Sequence, residues 1–137
     1  MSTLIETVQN AQRKAAEIRP QVGGFPVVAE VLRQAGIHRN ARTLPAGQSV
    51  YVTDTGAVVE PAMSLVSEMS DVPAFDRDAV IDAIRADQAG HTTSPEFLAA
   101  IWTAGVTSYV VDLDQRTVTY SGIDSTTYAE SYPAAEI

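Results

Sequence analysis

Apolar positions along this chain repeat with two different periods. From Thr3 to Ile18, Leu4, Val8, Ala11, Ala15 and Ile18 recur in alternating steps of four and three, the stripe of a helix buried on one side. Thr3 with Glu6 forms a capping box at its start. Pro20 and the Gly23-Gly24 pair close it, and the stripe is too short for a coiled-coil seam. A second helix begins near Pro26, turns Val28, Val31, Leu32 and Ala35 inward, and ends at Gly36, a left-handed cap. A third follows the N-cap Asp76, presents Val80, Ile81 and Ile84, and stops between Ala89 and Gly90. A fourth follows the loop HTTS, capped by Thr93 with Glu96 or by Ser94 with Pro95, and ends at Gly105.

Elsewhere the period is two. Ser49–Thr53 and Ala57–Glu60 flank Asp54-Thr55-Gly56 as a hairpin. Thr107–Leu113 places Tyr109, Val111 and Leu113 on one face, Thr117–Ser121 returns with Val118 and Tyr120, and Thr126–Tyr132 is a further strand. The stretch from His38 to Ser49, HRNARTLPAGQS, shows no apolar alternation and reads as a polar loop. Residues 61–74 read as a linker packed through Leu65, Val66, Met63 and Met69. The expected fold is α+β, with about four helices on an antiparallel sheet of about five strands.

Two helices end alike. PVVAEVLRQAGI from Pro26 and PEFLAAIWTAGV from Pro95 share proline, Ala-Gly and a following aliphatic residue at an offset of 69 residues. The apolar faces transfer too: Val28 maps to Phe97, Val31 to Ala100 and Leu32 to Ile101. This points to a duplicated helix-helix-hairpin unit, residues 3–60 and 75–132, within a single domain spanning 1–137. The loop after Ile37 is far longer than its counterpart, which is expected to throw the strands out of register with the offset.

Composition narrows the chemistry. The chain has 137 residues, enough for a core without staples. It has no cysteine, so disulfides, thiolate metal sites and cysteine nucleophiles are excluded. A net charge of −8 with only nine Lys plus Arg argues against nucleic acid as a partner. The start, MSTLIETVQNAQRK, is not a signal peptide, and no apolar run could span a membrane, so the expected location is the cytoplasm.

The richest local chemistry is His38-Arg39-Asn40-Ala41-Arg42, continuing to Ser49. Its arginine forks suit a carboxylate or phosphate, although cations just past a helix C-terminus also serve its dipole. His91 lies beside Thr92, Thr93 and Ser94, but Thr93 and Ser94 already serve as helix caps. HExxH, GxGxxG and phosphate-loop patterns are missing, so no metal or cofactor is implied. Asp112 and Asp114 flank a strand end, where turn aspartates are commoner than cation ligands. Trp102 and the five tyrosines suit either a pocket lining or core filling.

The stretches FPVVAEVLRQAGIHRN, LPAGQSVYVTDTG, FDRDAVIDAIRADQAG, SPEFLAAIWTAGV, YVVDLDQRTVTYSG and YAESYP, in that order, resemble the YbcV-like bacterial family. Its members are often labelled "phage envelope protein" or domain of unknown function. The resemblance runs from about Phe25 onward and implies no activity, cofactor or catalytic residue. The leading expectation is a non-enzymatic binding or interaction module. The alternative is a small anionic-ligand-binding protein or enzyme using His38, Arg39, Asn40, Arg42 and Ser49, with His91. A symmetric homodimer joined by a sheet edge or by tyrosines is a third.

Overall fold

The computed structural model describes residues 3–137. Helices α1 (Leu4–Ile18) and α2 (Phe25–Gln34) are followed by strands β1 (Ile37–Thr43), β2 (Ser49–Thr53) and β3 (Ala57–Glu60). Helices α3 (Arg77–Gln88) and α4 (Ser94–Thr103) precede β4 (Ser108–Asp112), β5 (Thr117–Ser121) and β6 (Thr127–Ser131). All strands join one antiparallel sheet in the order β3-β2-β1-β4-β5-β6. The fold is α+β, and none of the helices among the described residues is long and apolar enough to cross a membrane.

The helix ends follow from local chemistry. Thr3 and Glu6 form the expected reciprocal capping box, and Thr93 with Glu96 forms another, so Thr93 rather than Ser94 caps α4. The Asp76 carboxylate accepts from the Ala79 N–H at the start of α3. Gly36 and Gly105 both adopt φ +95°, where a side chain is strained. Each helix pair packs with its apolar stripe inward. Val8, Ala11 and Ala15 of α1 are buried, as are Val80 and Ile84 of α3 and Ile101 of α4.

The main departure from expectation is β1. A seven-residue strand starting at Ile37 takes up the first part of the stretch read as a polar loop and holds the centre of the sheet. Its outward-facing Ala41 is small and its inward-facing Asn40 and Arg42 are polar, so the usual alternation is inverted. With β1 in place, the order helix-helix-strand-strand-strand occurs twice. The offset of 69 then survives into the sheet rather than being lost: Asn40 opposite Tyr51 corresponds to Tyr109 opposite Tyr120. The β1–β4 pairing is itself centred on residues 69 apart, Ala41 opposite Val110. Leu44 N–H donates to Thr107 O at 3.0 Å, and Leu113 N–H donates to His38 O at 2.9 Å, the same bond from each half. The second unit departs by one residue at its outer hairpin, where β6 pairs with β5.

Residues 61–76 tie the halves together through the backbone. Leu65 N–H reaches Pro45 O, and Asp76 N–H reaches Ala104 O at 2.8 Å. Leu65 and Val66 are half-buried, but Met63 and Met69 project into solvent, against the expectation that they pack. Backbone bonds, not methionine burial, hold this segment.

His38 lies at one end of the sheet between two turns. Its Nε2 meets Asp54 Oδ1 at 2.7 Å and its Nδ1 meets Asp114 Oδ2 at 2.9 Å. The imidazole therefore joins the β2–β3 turn to the β4–β5 turn. The hydrogen bonds to Asp54 and then Asp114 raise its pKa.

Two tests follow. Gly36→Ala is expected to cost about 1 kcal/mol for its strained φ alone, because a Cβ there meets no neighbouring atom within 4 Å. Gly105→Ala is expected to cost more, since its Cβ would stand 2.3 Å from the Ala74 carbonyl oxygen. Equal losses in urea unfolding would contradict that difference in packing. For His38, a raised folded-state pKa gives stabilisation that is fully present below the unfolded pKa and lost as pH rises through the folded one. His38→Gln should therefore destabilise clearly at about pH 6, and much less at about pH 9. A loss independent of pH in denaturant titrations would refute the charged clasp.

Candidate functional site

A cavity of about 310 Å³ lies between the covered face of the sheet and the helices. That is at the small end of organic-ligand sites, which run to roughly 1,000 Å³. Its floor is the central sheet: Tyr51, Tyr109, Val111, Val118 and Tyr120. Phe25, Val28 and Leu32 of α2 form one wall, with Phe97 and Leu98 of α4 opposite. A broader concavity of about 390 Å³ around Asn10, Lys14 and Gln34 is open to solvent and lacks aromatic walls.

Many lining residues are partners at the offset of 69. Val28 answers Phe97, Tyr51 answers Tyr120, and Phe25 answers Ser94. The cavity thus lies where the two halves meet. Its polarity is not shared evenly: Asn40 answers Tyr109, and Arg42 answers Val111. Strand β1 brings the hydrogen-bonding groups, and β4 brings bulk.

The polar groups differ in how far the protein satisfies them. Asn40 Nδ2 donates to Ser49 Oγ at 2.7 Å and to Val50 O at 3.1 Å, so it is fixed in place. Arg42 is different. Its Nε is sealed from solvent and meets no acceptor among the described residues. The ion pairs among those residues join Arg33 to Glu30, His38 to Asp54 and Asp114, and Arg85 to Glu130, and Arg42 is in none of them. A buried N–H held this way costs stability unless something supplies the missing acceptor.

Neighbouring groups respond to burial. The Tyr109 phenol is pushed up by burial, while the Arg42 charge pulls it the other way. Tyr109 and Tyr120 pack with ring centroids 5.9 Å apart and planes tilted by 51°. Burial likewise lifts the Asp87 carboxyl, opposed by the Arg19 charge and the Thr92 hydroxyl. Tyr132, raised to about 12 mainly by burial, meets Phe25 edge to face at 5.1 Å. Glu130 is held low, chiefly by the Arg85 guanidinium at 2.6 and 3.0 Å, and it also accepts from the Tyr128 hydroxyl.

The sequence-derived candidates are dispersed by this arrangement. Asn40 and Arg42 line the cavity, and the buried Ser49 braces Asn40. Arg39 is exposed in register with Asp112, on the opposite face of the sheet. His38 belongs to the clasp at the sheet end, and His91 is exposed in the loop before α4. Asp112 accepts from the N–H groups of Asp114 and Gln115, as a turn aspartate does. Sequence reasoning missed Arg19, Phe25, Asp87 and Phe97 as wall residues. It weighed the tyrosines without placing them, although Tyr51 and Tyr120 fall at the same offset as the paired helices.

Comparison with known proteins agrees with a whole-chain match. Residues 13–131 match a family described as Protein of unknown function (DUF1398). Uncharacterized protein Rv2012 of Mycobacterium tuberculosis (strain ATCC 25618 / H37Rv) is 52% identical over 136 residues, covering 99% of this chain and 83% of the relative. Uncharacterized protein Mb2035 of Mycobacterium bovis shows the same identity and coverage. With nearly its full length matched, the chain belongs to the DUF1398 family.

Proposed function

We propose that this protein is a duplicated, non-enzymatic binding module whose central cavity receives a small organic molecule. The observation that carries the reading is the cavity itself: aromatic and aliphatic walls around a few converging polar groups. Its location supports this. A duplicated unit creates a seam between its copies, and divergence at that seam turns a symmetric space into a directional one. Asn40 and Arg42 against Tyr109 and Val111 are such a divergence.

The binding reading is favoured over catalysis by what the cavity wall contains. The two histidines lie elsewhere, and the buried Ser49 hydroxyl is engaged with Asn40. Asp87 is the one wall carboxyl with a raised pKa, and the Thr92 hydroxyl it accepts from at 3.4 Å does not line the cavity. The YbcV-like resemblance and its phage label add no chemistry to this reading.

The reading is tested with a panel of small aromatic probes, including 1-naphthoate and 1-naphthalenemethanol, followed by two-dimensional NMR. Methyl signals of Val111 and Val118 on the cavity floor are expected to shift with probe, while Val59 and Val110 on the exposed face stay unmoved. Val28→Trp, which fills the cavity, should abolish the shifts while preserving the circular dichroism spectrum. Probes that perturb only the exposed face, or nothing at millimolar concentration, would overturn the proposal.

A further inference from the structure

The geometry points to a single-charged organic anion, a carboxylate on a flat apolar body, as the class of ligand this cavity takes, with its charge on Arg42. This rests on the cavity being a binding site and adds what the site selects.

Each charge at the wall has been placed. Glu130 is occupied by Arg85 and by the Tyr128 hydroxyl. Asp87 lies in the field of Arg19 and receives the Thr92 hydroxyl at 3.4 Å. Arg42 joins no ion pair among the described residues and its Nε is sealed without an acceptor, whereas the charge of Arg19 acts on Asp87. The wall therefore has one uncompensated positive charge. A dianion would need a second, and the other cation on the wall, Arg19, already faces Asp87.

The guanidinium also selects by shape. Its planar fork matches the two oxygens of a carboxylate, and a pairing shielded from water is stronger than one at a surface. The adjacent floor is Tyr109, whose ring packs against Tyr120, and the wall above is Phe97 and Phe25. These surfaces favour an aromatic or fused-ring body over a flexible polar one. The cavity volume of about 310 Å³ limits that body to one or two rings. Asn40 offers little to compete for the anion, since its amide is spent on Ser49 and Val50.

Isothermal titration with three matched probes tests the inference: 1-naphthoate, 1-naphthalenemethanol and 1-naphthyl phosphate. The wild-type protein should bind naphthoate at least about tenfold more tightly than the alcohol, or roughly 1.4 kcal/mol. Naphthyl phosphate should gain nothing over naphthoate. In Arg42→Met the carboxylate advantage should vanish while alcohol binding persists, and Arg42→Lys should keep only part of it, having lost the fork. The wild-type ratios need no variant, so misfolding of Arg42→Met would not hide the answer. Equal affinity for naphthoate and alcohol would overturn the inference but leave the binding reading standing. Tighter binding of the phosphate would overturn the single-charge assignment. Failure of all three to bind would overturn both readings.

Discussion

The antiparallel pairing of β1 with β4 is the constraint on which the rest depends. Ala41 opposite Val110 is its centre, and Leu44 N–H to Thr107 O and Leu113 N–H to His38 O close its two ends. Each half has only three strands and two helices, a sheet fragment with one interior edge left unpaired. Joining those edges turns two fragments into a six-stranded sheet whose covered face is wide enough to bury Tyr51, Val111, Val118 and Tyr120. It also moves the unpaired edges outward to the short strands β3 and β6, where Glu60 and Glu130 place charge near each edge. The cavity lies above this junction, between α2 of one half and α4 of the other.

The helices were legible because their ends are written locally. Thr3-Glu6, Asp76, Thr93-Glu96 and the two glycines at φ +95° specify starts and stops without reference to anything distant. The outer strands were legible for the same reason, through alternation and turn residues. Strand β1 was not, because alternation reports burial only when the buried side is apolar. Asn40 and Arg42 face inward because an interior cavity receives them, while Ala41 faces out. The residues that defeated the pattern are therefore the polar residues of the candidate site, the kind of place where local rules are expected to give way. Sequence proximity groups His38 and Arg39 with Asn40 and Arg42, but strand alternation turns Arg39 to the other face, and the bulge between Ile37 and Arg39 leaves His38 at the sheet end with Asp54 and Asp114. Neighbours in a strand point to opposite faces.

The differences between the halves follow a spatial logic. Positions that build the shared core keep their character: Ile37 with Val106, Leu44 with Leu113, and Ala15 with Ile84, all buried. Among the cavity-lining positions, Tyr51 and Tyr120 still match, but Asn40 stands against Tyr109 and Arg42 against Val111. The shared apolar character of the first set serves packing. The contrast in the second gives the cavity a polar end and an apolar end, which a symmetric cavity would lack.

The location of the cavity at the seam has a thermodynamic consequence. A molecule held there touches α2 and β1 of one half and α4 and β4 of the other, so it is shared property of both. Binding free energy is then available only when both halves are folded and docked. Occupancy would raise the cost of opening one half while the other stays intact, and so sharpen the cooperativity of unfolding beyond what the β1–β4 hydrogen bonds achieve alone.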